Sequence, residues 1–253
     1  MSNPVVERIL RGLEQRGNRL EAQAIRGVLA AYKDLNLAEL IALLRAASET
    51  DSPLARARYM DDLMRSWDAA AAGLSQPPES LAQAVRGAVQ SGVTGTVEMF
   101  AASQVVTDAF TVPATLQLRF MDHAEARMLE FWGAEPPRLR QEVQAAIRDG
   151  LERGQSLDQI GQRIKDRAGV SRSRASLIAR NEVSTAAGFA MRESQKEAGV
   201  TEYIWRSSSD DRVRPTHRAR NGKRFSWDDP PADGHPGEPI NCRCVALAVL
   251  DPP

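Results

Sequence analysis

For roughly its first two hundred residues this chain repeats its apolar side chains at steps of three and four, and only beyond Gly199 does the step shorten to two. Steps of three and four place side chains on one stripe of an α-helix, whereas a step of two places them on one face of a strand. The helical spacing is plain at Val6, Ile9, Leu10 and Leu13, and again at Leu37, Leu40, Ile41 and Leu44. Asn36 stands where a cap belongs for the helix of "NLAELIALLRAAS", with Glu39 placed as its reciprocal partner. After Pro77 and Pro78 the pattern restarts, since proline suits a first turn. Pro113 breaks it once more, and Met121, Met128, Leu129 and Trp132 resume it.

Pro136 and Pro137 open a segment of different character. A helix is expected from about Arg138 to Glu152, ended by Gly154. Ser156 and Gln159 form a capping box for a second helix that carries Leu157, Ile160 and Ile164 on one face. A third is expected from about Arg174 to Ala198, closed by Gly199. Beyond it "TEYIWRS", "GKRFSW" and "CRCVALAV" read as short strands, rich in aromatic and β-branched residues. The expected fold is mainly α, a helical body with a small C-terminal α+β unit containing a short sheet. The expected division is a helical region over 1–135 and a second region over 136–253, helical to about 199. Aromatic residues at 5% of the chain favour helices over a sheet sandwich.

Charge narrows the function classes. Thirty-three basic residues balance 33 acidic ones, so no whole-molecule field draws this chain to DNA or to an acidic membrane. No recognition-helix motif supports a DNA-binding regulator. No apolar run approaches the roughly 18 residues of a membrane span, and "MSNPVVERILRGLEQRG" lacks a signal-peptide core. Two cysteines are expected to stay reduced in a cytoplasm.

The chemistry-bearing residues crowd into "SSSDDRVRPTHRARNGKRFSWDDPPADGHPGEPINCRC", Ser207 to Cys244, which holds both cysteines and two of the three histidines. On a strand, Cys242 and Cys244 would point to one face and could close on one zinc with His217 and His235. The alternative is two small buried side chains packed under a loop, beside a histidine bonded to a carboxylate. Asp210, Arg212 and His217, with Asn241, could position a phosphate and activate water. Against that stands a structural role, in which Asp210 caps the turn and Arg212 pairs with Glu182 on the third helix. Arg180 and Glu182 then orient the junction between helices and sheet. From Trp205 to Asp228 six Arg and one Lys face three Asp. Arg218, Arg220, Lys223 and Arg224, interleaved with Trp205, Phe225 and Trp227, could follow a phosphate backbone. Those aromatics could equally be the core of the small sheet.

From about Arg138 to Leu250 the pieces fall in an order that resembles the phage Mu F-like head morphogenesis proteins, the minor head proteins of tailed phages. "GLERGQSLDQIGQRI", "RASLIARNEVSTAAGFAMRESQKEAGV", "YIWRSSSDDRVRPTHRARNGKRFSW" and "PGEPINCRC" carry the resemblance. Asn181 departs from the Ala-Arg-Thr-Glu usual in that family. Arg214 and His217 stand where many members show a Cys-x-x-Cys. The resemblance implies a virion component at the capsid interior or portal vertex, present in the host cytoplasm during assembly. It implies a portal protein and a scaffold or major capsid protein as partners, a weak non-specific DNA contact, travel with the genome at ejection, and no enzyme activity. The competing class is a metal-dependent nuclease or toxin-like enzyme using Asp210, His217, Cys242 and Cys244. Some family members carry a toxin domain after this region; the nine residues following Cys244 are too few for one, which favours the structural reading.

Overall fold

The computed structural model describes residues 4–48, 53–103, 110–168, 172–208 and 212–250. In chain order the helices are α1 (Pro4–Lys33), α2 (Ala38–Ser48), α3 (Pro53–Ala70), α4 (Glu79–Ser103), α5 (Ala114–Gly133), α6 (Glu135–Glu152), α7 (Leu157–Ala168) and α8 (Arg172–Glu197). Then come β1 (Glu202–Arg206), a short helix α9 (Pro215–Arg220), β2 (Arg224–Ser226) and β3 (Val245–Ala248). A 3-10 turn, Ala71–Leu74, follows α3. The molecule is mainly helical with one small antiparallel sheet, as its periodicity predicts.

Local signals act where they stand. Ser156 N–H donates to Gln159 Oε1 at 2.9 Å and Gln159 N–H to Ser156 Oγ at 3.3 Å, a complete capping box at the head of α7. Asn36 Oδ1 accepts the Ala38 N–H at 3.1 Å and heads α2. Gly199 takes a left-handed φ of 79°, and the Val200 N–H reaches the Gln195 carbonyl at 3.0 Å, closing α8. One boundary differs from expectation: α6 begins at Glu135, so both prolines lie inside its first turn. Proline lacks only an N–H that the first turn would leave unpaired.

The chain packs as two compact units, each drawing on residues from both sides of position 135. One comprises Arg26–Glu79 and Leu129–Ala175. Its core holds Leu40, Leu63, Trp67, Trp132, Leu139, Val143, Ile147, Ile160 and Ile164, all nearly fully buried. Trp132 meets the edge of Tyr32 at 6.2 Å between ring centroids and donates its indole N–H to the Leu74 carbonyl at 2.8 Å. Inside this unit lies a buried carboxylate, Glu135, only 2% exposed. It accepts the Tyr32 hydroxyl at 3.0 Å and the Arg138 guanidinium at 2.8 Å, and it also pairs with Arg174.

The other unit comprises Met1–Ile25, Ser80–Met128 and Ser176–Pro253. Here α4 and α8 approach closely at Gly92, where a Cβ would lie 2.4 Å from the Ala187 carbonyl oxygen and 3.1 Å from the Met191 nitrogen. Those are backbone atoms of a helix and cannot turn aside. Gly92→Ala is therefore expected to destabilise by about 1–3 kcal/mol through forced separation of the helices, despite alanine's better helix propensity. Chemical denaturation checks it; a stabilised variant would show that α4 and α8 do not meet at this spacing.

The sheet has the order β2–β1–β3, with both pairs antiparallel. Tyr203 lies opposite Phe225, and Trp205 opposite Ala246. Being two apart, Tyr203 and Trp205 share a face. They join Val200, Trp227, Cys242, Cys244, Ala246 and Phe100 of α4 in one buried cluster. Gln195 of α8 donates to the Ala246 carbonyl at 2.9 Å and ties helix to sheet. Among the described residues no helix is long and apolar enough to cross a membrane.

A candidate metal centre at the mouth of the sheet

Proline at the start of α9 sets its first turn, and His217 faces inward from it, 2% exposed. The turn that follows is bonded to β1 from both sides. Trp205 N–H donates to the Lys223 carbonyl at 2.9 Å, and Gly222 N–H to the Trp205 carbonyl at 2.8 Å. Ser207 N–H adds a bond to Asn221 Oδ1 at 3.0 Å. The imidazole thus has a fixed position beside the sheet, with Trp205 against its edge at 5.1 Å between centroids.

Cys242 and Cys244 precede β3 rather than lying on it, which corrects the expectation of a strand pair. A turn brings them together instead. Cys242 N–H donates to the Pro239 carbonyl at 2.9 Å, and Asn241 takes a left-handed φ of 58°. Asn241 N–H is held by Asn181 Oδ1 of α8 at 3.3 Å. Among non-glycine residues asparagine tolerates that conformation best.

His217, Cys242 and Cys244 converge. Nδ1 of His217 is 3.5 Å from each sulfur, and one ligand atom from each residue falls within 4.8 Å of the others. On the far side of the ring, Nε2 lies 3.0 Å from Asp233 Oδ2. Arg220 of α9 also pairs with Asp233 and lies over the Trp205 ring, 5.0 Å from its centroid. Desolvation alone would raise the Asp233 pKa, but hydrogen bonds from Arg220 and His217 hold its carboxyl below the usual range. An ionised Asp233 is placed to accept a proton from Nε2, and the neutral tautomer with that proton turns the Nδ1 lone pair toward the sulfurs.

The sulfurs are hydrogen-bonded as well. The Cys244 thiol donates to Cys242, and this bond, opposed by burial and helped by the N–H groups of Gly237 and Cys244, lowers the Cys242 pKa. As donor in that bond, Cys244 is pushed up, and burial pushes it further. The Ser208 N–H and the Trp205 indole favour its thiolate, although the indole N–H completes no full hydrogen bond.

His235 is not in this cluster, a correction to the fourth-ligand expectation. Its Nδ1 meets the Tyr203 hydroxyl at 2.9 Å, and its ring stands edge-on to Trp227 at 4.9 Å. Desolvation lowers its pKa, so the ring is neutral and serves the sheet core. The expected Glu182–Arg212 pair is replaced too. Glu182, 2% exposed, faces Arg127 of α5 at 3.6 Å and accepts from Asn181 at 2.8 Å, while burial raises its pKa. Arg180 pairs with Glu21 of α1 at 3.3 Å. Asp210 lies outside the described residues. Of the basic group, Arg218, Lys223 and Arg224 are exposed, Arg224 beside Glu202 at 3.1 Å, while Arg220 is engaged by Asp233. Trp205 and Trp227 are 0% and 5% exposed, so they are core and offer no stacking platform. Sequence reasoning missed Asp233 and Arg127, since no local pattern links either to its partner.

Compared with known proteins, residues 141–247 match the family model described as "Phage Mu protein F like protein". An uncharacterized protein of Haemophilus influenzae is 37% identical over 110 residues, 43% of this chain and 25% of that protein. The minor head protein of Bacillus phage SPP1 is 30% identical over 124 residues, 43% of this chain and 40% of that protein. An NAD(+)–arginine ADP-ribosyltransferase of Enterococcus faecalis is 30% identical over 131 residues, 45% of this chain and 26% of that protein. The chain thus spans between a quarter and two-fifths of the length of these relatives. No solved structure matches it.

Proposed function

We propose that this chain is a phage head protein, acting as a minor head component in head assembly, because residues 141–247 match the phage Mu protein F-like family model. The observation that carries the reading is the family match together with the similarity to a phage minor head protein. In this reading the role is binding: helical surfaces dock on the portal protein and on scaffold or major capsid protein, and the chain resides in the virion after assembly in the host cytoplasm. The ADP-ribosyltransferase shares only 26% of its length with this chain. Most of that enzyme lies outside the similarity, which supports a non-enzymatic part for the matched region here.

Exposed Arg218, Lys223 and Arg224 support a weak DNA contact of the counterion-release kind, falling steeply with salt. The experiment is co-expression with the cognate portal and capsid proteins, followed by gradient separation of heads. The reading requires a fixed low copy number in heads and lost infectivity on deletion. A protein that stays in the soluble fraction, with normal heads formed without it, overturns it.

A further inference from the structure

We propose that His217, Cys242 and Cys244 bind one zinc ion, held through His217 Nδ1 and both sulfurs, with Asp233 orienting the imidazole from behind. Distance is the first argument. Zinc–sulfur bonds of about 2.3 Å and zinc–nitrogen bonds of about 2.0–2.1 Å, at tetrahedral angles, set nitrogen and sulfur about 3.6 Å apart. The structure holds Nδ1 at 3.5 Å from each of the two sulfurs. A neutral imidazole has one lone pair at that nitrogen. That lone pair can take a proton from only one of the two thiols, whereas one cation at the centre of the triangle engages all three atoms directly.

The surroundings make the second argument. Backbone N–H groups of Gly237 and Cys244 are aimed at one sulfur and that of Ser208 at the other. Such donors suit a sulfur that becomes charged, and a dication neutralises the two thiolates that form as it binds. A dication bound by two thiolates and a neutral imidazole carries no net charge, so its burial is cheap. The carboxylate behind the histidine is the usual partner of a metal-bound imidazole, setting the tautomer that ligates. Three of the four tetrahedral positions are thus supplied by described residues. The ion would clasp α9 to the entry of β3, joining two pieces of chain more than twenty residues apart. This inference does not depend on the head-protein reading.

The test uses the full chain carrying a histidine-free tag and purified without chelator. Elemental analysis should find one zinc per chain. Replacement by cobalt(II) should give a tetrahedral spectrum with thiolate-to-metal charge transfer from two sulfurs. Asp233→Asn should keep the fold by circular dichroism and weaken zinc by about 10–100-fold against a chromophoric chelator. Cys242→Ser with Cys244→Ser should abolish binding; should that variant not fold, the cobalt spectrum and the Asp233 variant decide alone. Wild-type protein that takes up no zinc, a cobalt spectrum without sulfur charge transfer, or unchanged affinity in Asp233→Asn overturns the proposal.

Discussion

Glu135→Ala is expected to destabilise the unit built from Arg26–Glu79 and Leu129–Ala175 by about 2–3 kcal/mol, the cost of losing a buried, charged hydrogen-bond acceptor. The carboxylate is 2% exposed and has three partners. Removing it takes the acceptor from the buried Tyr32 hydroxyl and leaves Arg138 and Arg174, whose side chains are 33% and 31% exposed, to be solvated in its place. Glu135→Gln keeps the shape and a hydrogen-bond acceptor, so it should cost less; the difference between the two measures the charge. Burial on its own would raise the Glu135 pKa, but hydrogen bonds and charge from Arg138 and Arg174 hold it below its ordinary 4.5. The sign follows: this contribution is fully present above the ordinary carboxylate range, and it is lost as the pH falls through the lower folded-state pKa. Urea denaturation of wild type and Glu135→Gln at neutral and acid pH checks both statements. Wild type should lose stability toward acid and the variant should lose less. Equal losses would mean that Glu135 does not titrate in this way.

Trp205→Ala should cost about 3–5 kcal/mol from the small sheet. Trp205 is 0% exposed, sits on the central strand of the sheet, and meets both Phe225 and His217 edge-on. Its loss opens a cavity between the sheet and α9, so the position of His217 should loosen together with the core. Trp205→Phe retains an aromatic ring and should recover much of the loss. Denaturation followed by tryptophan fluorescence reads the stability, and near-ultraviolet circular dichroism reads the packing of the remaining aromatic residues. A Trp205→Ala variant as stable as wild type would refute the packing described for this cluster.

The contrast between α7 and the metal centre shows how far residue order reaches. Ser156 and Gln159 cap α7 as their spacing predicts, because both bonds close within four residues and depend on nothing distant. Gly199 ends α8 for the same reason, and the alternation at Tyr203 and Trp205 announces a strand with one buried face. The residue types of the cluster were legible as well: two cysteines and a histidine in one short stretch stand out in a chain with so few of either. Which histidine joins the sulfurs was not legible. His217 and His235 are equally available in the sequence, and only packing sends one ring to the sulfurs and the other to the Tyr203 hydroxyl.

Long-range partners escaped for the same reason. Glu135 reads as an ordinary acid in a helix first turn, yet its partners Tyr32 and Arg174 lie 103 and 39 residues away. Residue order offers Arg212 as the partner of Glu182, but α5 supplies Arg127 to that carboxylate instead. By itself, then, the residue order determined the helices, their caps, the change to strands after Gly199 and the resemblance of the C-terminal part to the phage Mu F-like proteins. Backbone propensity, capping and periodicity are settled within a few residues. Tertiary structure decided which charges pair and which donors converge, because these depend on distances set only when separate helices and strands pack.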